Sequence, residues 1–447
     1  MEKDYLSKVP VLVIAVILSL IALYWFPKLV DGLPISNLDL LADVRNDSAA
    51  FLRDSLGNLI TIEDSIINSK SKGHVAKEGV TSIADMSNGS SGGMVQFYEA
   101  LYQSQSRPVR IAVLGDSYIE GDIMTSKLRQ LLQERFGGKG VGYIPMTSIT
   151  ATFSPTCRHS FGGWTQHKAV DRTGYVGIYN NITGNYFNAV DGAWVSLTGL
   201  SSAYSLAGTS TSSSFYFMGG AGSGYATAVV NGSDTTYFPL SSNSVVGHAI
   251  VYGDIKTVKW TVNNPGNMVF LGTSMDCENG VIVDNLAMRS SSGLHLKSMP
   301  SSVIRAFNQA RHYDLVVLIY GLNISGEDRS TYNYYNKNLE AAINNIKSNM
   351  PGTSILVVGC SDREERTASG WRTKKSVLDI IQAQKRAAID CKVAFWDLYT
   401  AMGGEGSMVA MVDRGEASSD YTHITHKGGD RIAQYLFDAL MLGYENR

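Results

Sequence analysis

The stretch Asp314-Leu-Val-Val-Leu-Ile-Tyr320 constrains the fold more than any other in the chain. Its apolar residues run on without alternation, so a strand built from them needs cover on both faces rather than one. Further runs of strand length occur at Ile111-Ala-Val-Leu114, Val281-Ile-Val-Asp-Asn285, Ser354-Ile-Leu-Val-Val-Gly359 and Val393-Ala-Phe-Trp396. Residues spaced for one apolar helix face lie between or after them, around 301–310, 332–349, 376–389 and 427–442. Strands alternating with amphipathic helices predict a parallel sheet with helices on both sides, a three-layer α/β/α domain. Met94, Phe97, Tyr98 and Leu101 add a short helix ahead of the first strand.

The alternation breaks between about Thr152 and Asn279. Short β-branched or aromatic segments take over, among them Ser214–Met218, Tyr225–Val230, Thr235–Phe238, His248–Tyr252 and Thr257–Val262, with turns at Asn231-Gly232 and Asn264-Pro-Gly266. This pattern predicts an antiparallel β-sandwich, inserted into the α/β domain near the active edge of its sheet. Before the body, Val9–Phe26 is an uninterrupted apolar run without charge, long enough for a transmembrane helix. No small-residue cleavage site follows it, so an uncleaved anchor is expected. Lys3 and Lys8 before the run, against Lys28 after it, tilt the orientation toward a cytoplasmic amino terminus and an extracytoplasmic body. Residues 37–56 read as loosely helical and 87–93 as a flexible glycine- and serine-rich stretch. The expected organisation is a cytoplasmic tail at 1–8, an anchor at 9–27, a tether at 28–92, the α/β domain at 93–150 and 280–447, and the β insert at 151–279.

Composition narrows the partners. Acidic and basic residues nearly cancel at a formal charge of −2, which gives a nucleic acid no electrostatic footprint. Low charge (17%), 44 glycines and 23 tyrosines suit a loop-rich exported body that meets sugars. Of the four cysteines, Cys360 and Cys391 fall at opposite ends of a parallel sheet and make a poor pair. Cys157 and Cys277 bracket the insert and could either close it or remain buried thiols.

In a parallel sheet the carboxyl ends of the strands form the ligand edge. Gly115-Asp116-Ser117 lands there after the first strand, with Gly115 permitting a tight turn and Ser117 at the start of the next helix, where the helix dipole favours negative charge. Gly321-Leu322-Asn323 lands there after the most apolar strand, and Asp420-Tyr-Thr-His423 lies in the loop before the last helix. A serine needs a histidine to take its proton, a carboxylate to fix the imidazole, and donors for the developing oxyanion. Ser117, His423 and Asp420 supply the first three, while Asn323 and the Ser117 N–H are candidate donors. Asp116 reads as a turn or cap residue. His426 is the competing base, although Lys427-Gly-Gly429 after it reads as the opening of the last helix. The other histidines lack metal-ligand spacing, and the glycine run 219–224 lacks the residues of a phosphate loop, so no metal or cofactor is implied.

These motifs, in this order, resemble blocks I, III and V of the SGNH (GDSL) hydrolases, over about 110–145 and 280–442. The resemblance implies a Ser117 nucleophile, an Asp420–His423 pair completing the triad, and Asn323 in the oxyanion hole. Where that family has a glycine donating its N–H, the stretch Val283–Gly293 puts Ser290 in register, with Gly293 as the competing choice. Arg289 beside it is either a substrate contact or a surface charge. A β insert on an anchored chain resembles envelope peptidoglycan and polysaccharide O-acetylesterases of that superfamily, where the insert is carbohydrate-binding-like. The expected activity is a serine esterase acting on an acylated glycan. An O-acyltransferase using the same intermediate and an inactive glycan-binding protein are the alternatives.

Overall fold

A computed structural model describes residues 81–446 of the protein apart from 172, 220, 327 and 328. The expected anchor at 9–27, the helical stretch at 37–56 and most of the tether lie outside the described residues. Six strands form one sheet: β1 (Ala84–Asp85), β2 (Pro108–Gly115), β3 (Gly280–Ala287), β4 (Leu315–Ile319), β5 (Ser354–Val358) and β6 (Ala394–Trp396), in the order β1-β6-β5-β4-β2-β3. All neighbours pair in parallel except β1, which runs antiparallel to β6. The sheet is therefore mixed rather than purely parallel, because residues in the expected tether fold back and cap its edge. Every residue of β4 is buried, as its unbroken apolar run requires.

The helices are α1 (Val95–Tyr102), α2 (Thr125–Phe136), α3 (Ser301–Ala310), α4 (Asn333–Asn349), α5 (Lys375–Cys391), α6 (Leu398–Met402), α7 (Ser407–Asp413) and α8 (His426–Glu445). Helices α2 and α8 pack together, and α4 packs on both α3 and α5. Each long helix buries one stripe, such as Leu339, Ala342, Ile343 and Ile346 of α4. The helix expected directly after Ser117 begins only at Thr125. Gly121 and Asp122 both take positive φ, near 69° and 65°, and break the chain into a turn and a short 3₁₀ segment first. Ser117 thus stands outside the first turn of α2, where the dipole effect has fallen away. Gly115 is needed for space rather than for a turn: a Cβ there would meet the Ile119 side chain at 2.9 Å and the Ile319 carbonyl at 3.0 Å.

The insert is antiparallel and β-rich, but it is one hydrogen-bonded sheet rather than a two-sheet sandwich. Its nine strands include 142–145, which lies ahead of the expected insert boundary at 151, along with 157–168, 185–199, 210–218, 221–230, 234–241, 246–255, 257–263 and 270–275. The long strand Asn185–Gly199 pairs with 157–168, 257–263 and 270–275. That branching lets the sheet curl until its end strands, 234–241 and 246–255, touch, making a near-barrel around Phe187, Phe215, Trp260 and Phe270. Cys157 and Cys277 remain separate buried thiols, as do Cys360 and Cys391.

The insert joins the sheet between α2 and β3, at the amino end of the strands, because Gly280 lies opposite Pro108 at the start of β2. It is therefore rooted away from the Ser117 edge, contrary to the sequence expectation. It lies along β3, where the Tyr143 N–H donates to Asp284 Oδ1 at 2.8 Å, and so shields the open edge of the sheet.

Arg311 bolts the two parts together. Fully buried, it donates to Asp276 at 2.6 and 3.0 Å, to Asp284 at 2.6 Å through two nitrogens, and to the Tyr216 hydroxyl at 3.0 Å. Burial alone would push the Asp276 carboxyl up, but Arg311 outweighs it and holds that group below the usual carboxylate range. Removing one member of such a network leaves buried charge uncompensated. Arg311→Ala should lower unfolding free energy by about 3–5 kcal/mol in denaturant titrations; a loss below about 1 kcal/mol would contradict a bolt of this kind.

Candidate active site

Strands β2 and β4 are neighbours, with Gly115 directly opposite Ile319, and the sheet order reverses between them. A crevice at such a switch point is where open α/β sheets place ligands. Ser117 leaves β2 on one side of it and Asn323 follows β4 on the other. Gly321, at φ 132°, turns the chain so that Ile324 and Ser325 donate back to its carbonyl at 3.0 and 3.1 Å.

The loop before α8 reaches the same crevice. His423 Nε2 lies 3.0 Å from Ser117 Oγ, joining groups 306 positions apart. On the other side of the ring, Nδ1 lies 2.7 Å from Asp420 Oδ2. An ionised carboxylate only accepts, so Nδ1 carries the proton and Nε2 presents its lone pair to the serine hydroxyl. Asp420 also accepts from the backbone N–H groups of Thr422 and His423, each at 3.0 Å. Burial pushes the Asp420 carboxyl up, but the hydrogen bonds from His423 and Thr422 prevail and hold it below the ordinary range. The side chains remain open to solvent, 43% for His423 and 51% for Asp420, so the pair needs no further group to neutralise it. Tyr421 between them takes φ 53° and stacks on Trp371.

The structure brings His423, rather than His426, to Ser117. The ring of His426 instead faces the Phe153 carbonyl, with Nε2 3.2 Å away. Asn323 is present at the crevice, but its amide nitrogen donates to Asp116 Oδ2 at 2.8 Å and to the Ser291 carbonyl at 2.9 Å, which commits both hydrogens. Ser290 takes φ 65°, a conformation that glycine adopts without cost. Its N–H and that of Ser117 have no hydrogen-bond partner among the described residues. The competing Gly293 N–H is spent on Ser291 Oγ at 3.0 Å. Arg289 pairs with Glu120 at 2.6 Å and thereby ties the Ser290 turn to the Ser117 turn.

Asp116 does more than shape a turn. It is 1% exposed, accepts from the Tyr118 N–H at 2.9 Å, and holds the Asn323 amide, so it positions two sides of the crevice. The Gly-Asp-Ser motif carried the signal, but the partner 207 positions away was not readable from it. Taken together, a hydroxyl with an acceptor imidazole, a supporting carboxylate and two free N–H groups form a set able to perform acyl transfer at a carbonyl.

Burial pushes the Asp116 carboxyl up to about 6, against hydrogen bonds from Tyr118 and Asn323 that lower it. The folded state therefore binds this proton more tightly than the unfolded chain, whose carboxyl titrates near 3.8. The cost of ionising it grows as pH rises from 4 to 6 and is complete above that window. Relative to Asp116→Asn, the wild type should lose about 3 kcal/mol of unfolding free energy between pH 4 and 7. Parallel pH dependences for the two proteins would contradict this burial.

No protein-family model matches the chain, and no curated protein matches it either. Among solved structures, a peptidoglycan O-acetylesterase is 20% identical, with a TM-score of 0.64 over 82% of this chain and 99% of its own. A family two carbohydrate esterase from Cellvibrio japonicus, 8% identical, covers 68% of this chain and 98% of its own at a TM-score of 0.28. The acetyl xylan esterase AlAXEase, 14% identical, covers 36% of this chain and 81% of its own, also at 0.28. The last two are too distant in shape to carry an argument. The body of this chain, a mixed α/β domain with an inserted antiparallel sheet, thus bears a distant likeness in fold to a peptidoglycan O-acetylesterase.

Proposed function

We propose that the protein is a serine esterase that removes O-acetyl or other short acyl groups from a cell-envelope or extracellular glycan, with residues 9–27 anchoring it in a membrane. The observation that carries this reading is the chain of contacts from Ser117 Oγ through His423 to Asp420. The shared fold with a peptidoglycan O-acetylesterase supports the substrate class.

In this mechanism Ser117 Oγ attacks the ester carbonyl carbon while His423 Nε2 takes the hydroxyl proton. Asp420 keeps the proton on Nδ1 and supports the imidazolium. The oxyanion is stabilised by the Ser117 and Ser290 N–H groups. Asn323 can join them by turning one amide hydrogen from the Ser291 carbonyl toward substrate, with Asp116 still holding the other. Collapse breaks the bond to the sugar oxygen, which receives the proton from His423. Water then attacks the carbonyl carbon of acyl-Ser117 while His423 takes its proton; collapse breaks the bond to Ser117 Oγ, which receives that proton from His423, and the carboxylic acid departs. Each oxyanion donor is worth about 10²- to 10³-fold in rate.

Turnover of p-nitrophenyl acetate by the full-length chain should fall about 10⁴-fold or more on Ser117→Ala, and by about 10⁴-fold on Asp420→Asn. Retention of wild-type turnover by Ser117→Ala would rule out the acyl-serine route.

A further inference from the structure

Two exposed aromatic residues are held beside His423: Trp371 stacks on Tyr421 before it, and the Phe153 backbone meets His426, the first residue of α8, after it. Trp371 is 41% exposed and sits on a hairpin of two strands, Glu364–Thr367 and Gly370–Thr373. Its ring stacks on Tyr421 with centroids 3.8 Å apart and planes 24° from parallel. The hairpin is also tied to that loop through its backbone, where the Glu364 N–H donates to the Tyr421 carbonyl at 3.2 Å.

Phe153 is 67% exposed and closes the 3₁₀ turn Ala151–Phe153, with Ile149 beside it at 72%. Its carbonyl lies 3.2 Å from His426 Nε2. Its Cβ packs against Gly121 in the turn that follows Ser117, 3.7 Å from where a Cβ on that glycine would stand. The segment is moored by Thr156, whose hydroxyl donates to the buried Asp122 carboxylate at 2.5 Å, and Asp122 is in turn paired with Arg129 at 2.8 Å.

A single exposed apolar residue is ordinary on a protein surface. Two exposed rings, each on a moored segment and each held by a residue close to His423 in the chain, have a shared position that core packing does not explain. A pyranose ring presents a face of C–H groups with slight positive charge, and an aromatic face is negative, so the two surfaces complement each other while the sugar hydroxyls stay hydrated.

We infer that Trp371 and Phe153 are stacking platforms for different sugar rings of one glycan chain, so that the acyl group removed is borne on a residue within a polymer. This rests on the esterase reading above and adds the length of substrate that the site is built to hold. The Tyr421 ring serves as the base of the Trp371 platform, and Ile149 widens the other.

The test compares O-acetylated peptidoglycan glycan strands and O-acetylated xylan with 6-O-acetylglucose and p-nitrophenyl acetate, using the full-length chain. The wild type should favour at least one polymer over 6-O-acetylglucose. In Trp371→Ala and in Phe153→Ala, the ratio of kcat/KM on that polymer to kcat/KM on p-nitrophenyl acetate should fall about tenfold, chiefly through KM. Trp371→Phe, which keeps an aromatic face, should recover most of that ratio. Measurable turnover of the small ester in each variant certifies that it has folded. An unchanged ratio in both alanine variants would overturn the inference, as would a wild type indifferent to substrate length, and either result leaves the esterase reading standing if Ser117→Ala is inert. Full turnover by Ser117→Ala would instead remove that reading, and this inference with it.

Discussion

The pairing of β2 with β4 is the constraint on which the crevice depends. With Gly115 opposite Ile319, the two strands leave the sheet at one level, and the turns after them face each other. Asp116 then reaches across to the Asn323 amide, a bond that links the two turns in a place water hardly enters. A shift of one residue in this ladder would turn every side chain of β2 to the opposite face and carry Ser117 away from the imidazole. The ordering of β2 and β4 is secured by burial: all of β4, and Ile111–Leu114 of β2, are shut off from solvent, with each Val, Leu or Ile side chain among them contributing about 1.5–3 kcal/mol.

The second dependence runs through Arg311. The insert is tethered to the sheet at the amino end of the strands, far from Ser117 along the chain's path, yet it reaches the crevice because it lies along β3 and sends the segment around Phe153 up to Gly121. Asp276 of the insert and Asp284 of β3 share one guanidinium, so the insert and the sheet edge are fixed as a unit. Tyr143 and Tyr216 flank the cation, with the ring centroids 6.0 and 5.7 Å from its central carbon. What the insert contributes at the site is therefore a matter of how it docks along β3, rather than of where it enters the chain.

Much of the α/β body was legible because unbroken apolar runs such as Leu315–Ile319 have few alternatives, and the helices between them show their buried stripe in the spacing of residues. The Ser117, Asp420 and His423 positions could be nominated because Ser117 falls just past a strand that the pattern fixes, and Asp420 and His423 just before a helix that it fixes. What was not legible depended on contacts distant in sequence. Asn185–Gly199 escaped notice because it alternates only from Ala193 to Gly199, while its first half buries Asn185–Phe187 in a row and then turns exposed around Asp191-Gly192. The hairpin with Trp371 is written in polar residues, and its stack on Tyr421 has no local sign. Ser290 could be singled out only by register, with Gly293 competing, because its left-handed backbone has no local sign in the sequence. The delay of α2 came from Asp122, whose positive φ is sustained by a buried pair with Arg129 that only the folded chain brings together.

Acyl transfer at this crevice requires that Ser117 be made nucleophilic by the imidazole beside it. Treating the full-length protein with a fluorophosphonate and mapping the adduct by peptide mass spectrometry addresses this directly, because phosphonylation needs the activated hydroxyl and no glycan. One adduct is expected, on the Ser117 peptide, forming at least about 10²-fold more slowly in His423→Ala. An unlabelled Ser117, or labelling at the same rate without the imidazole, would contradict it.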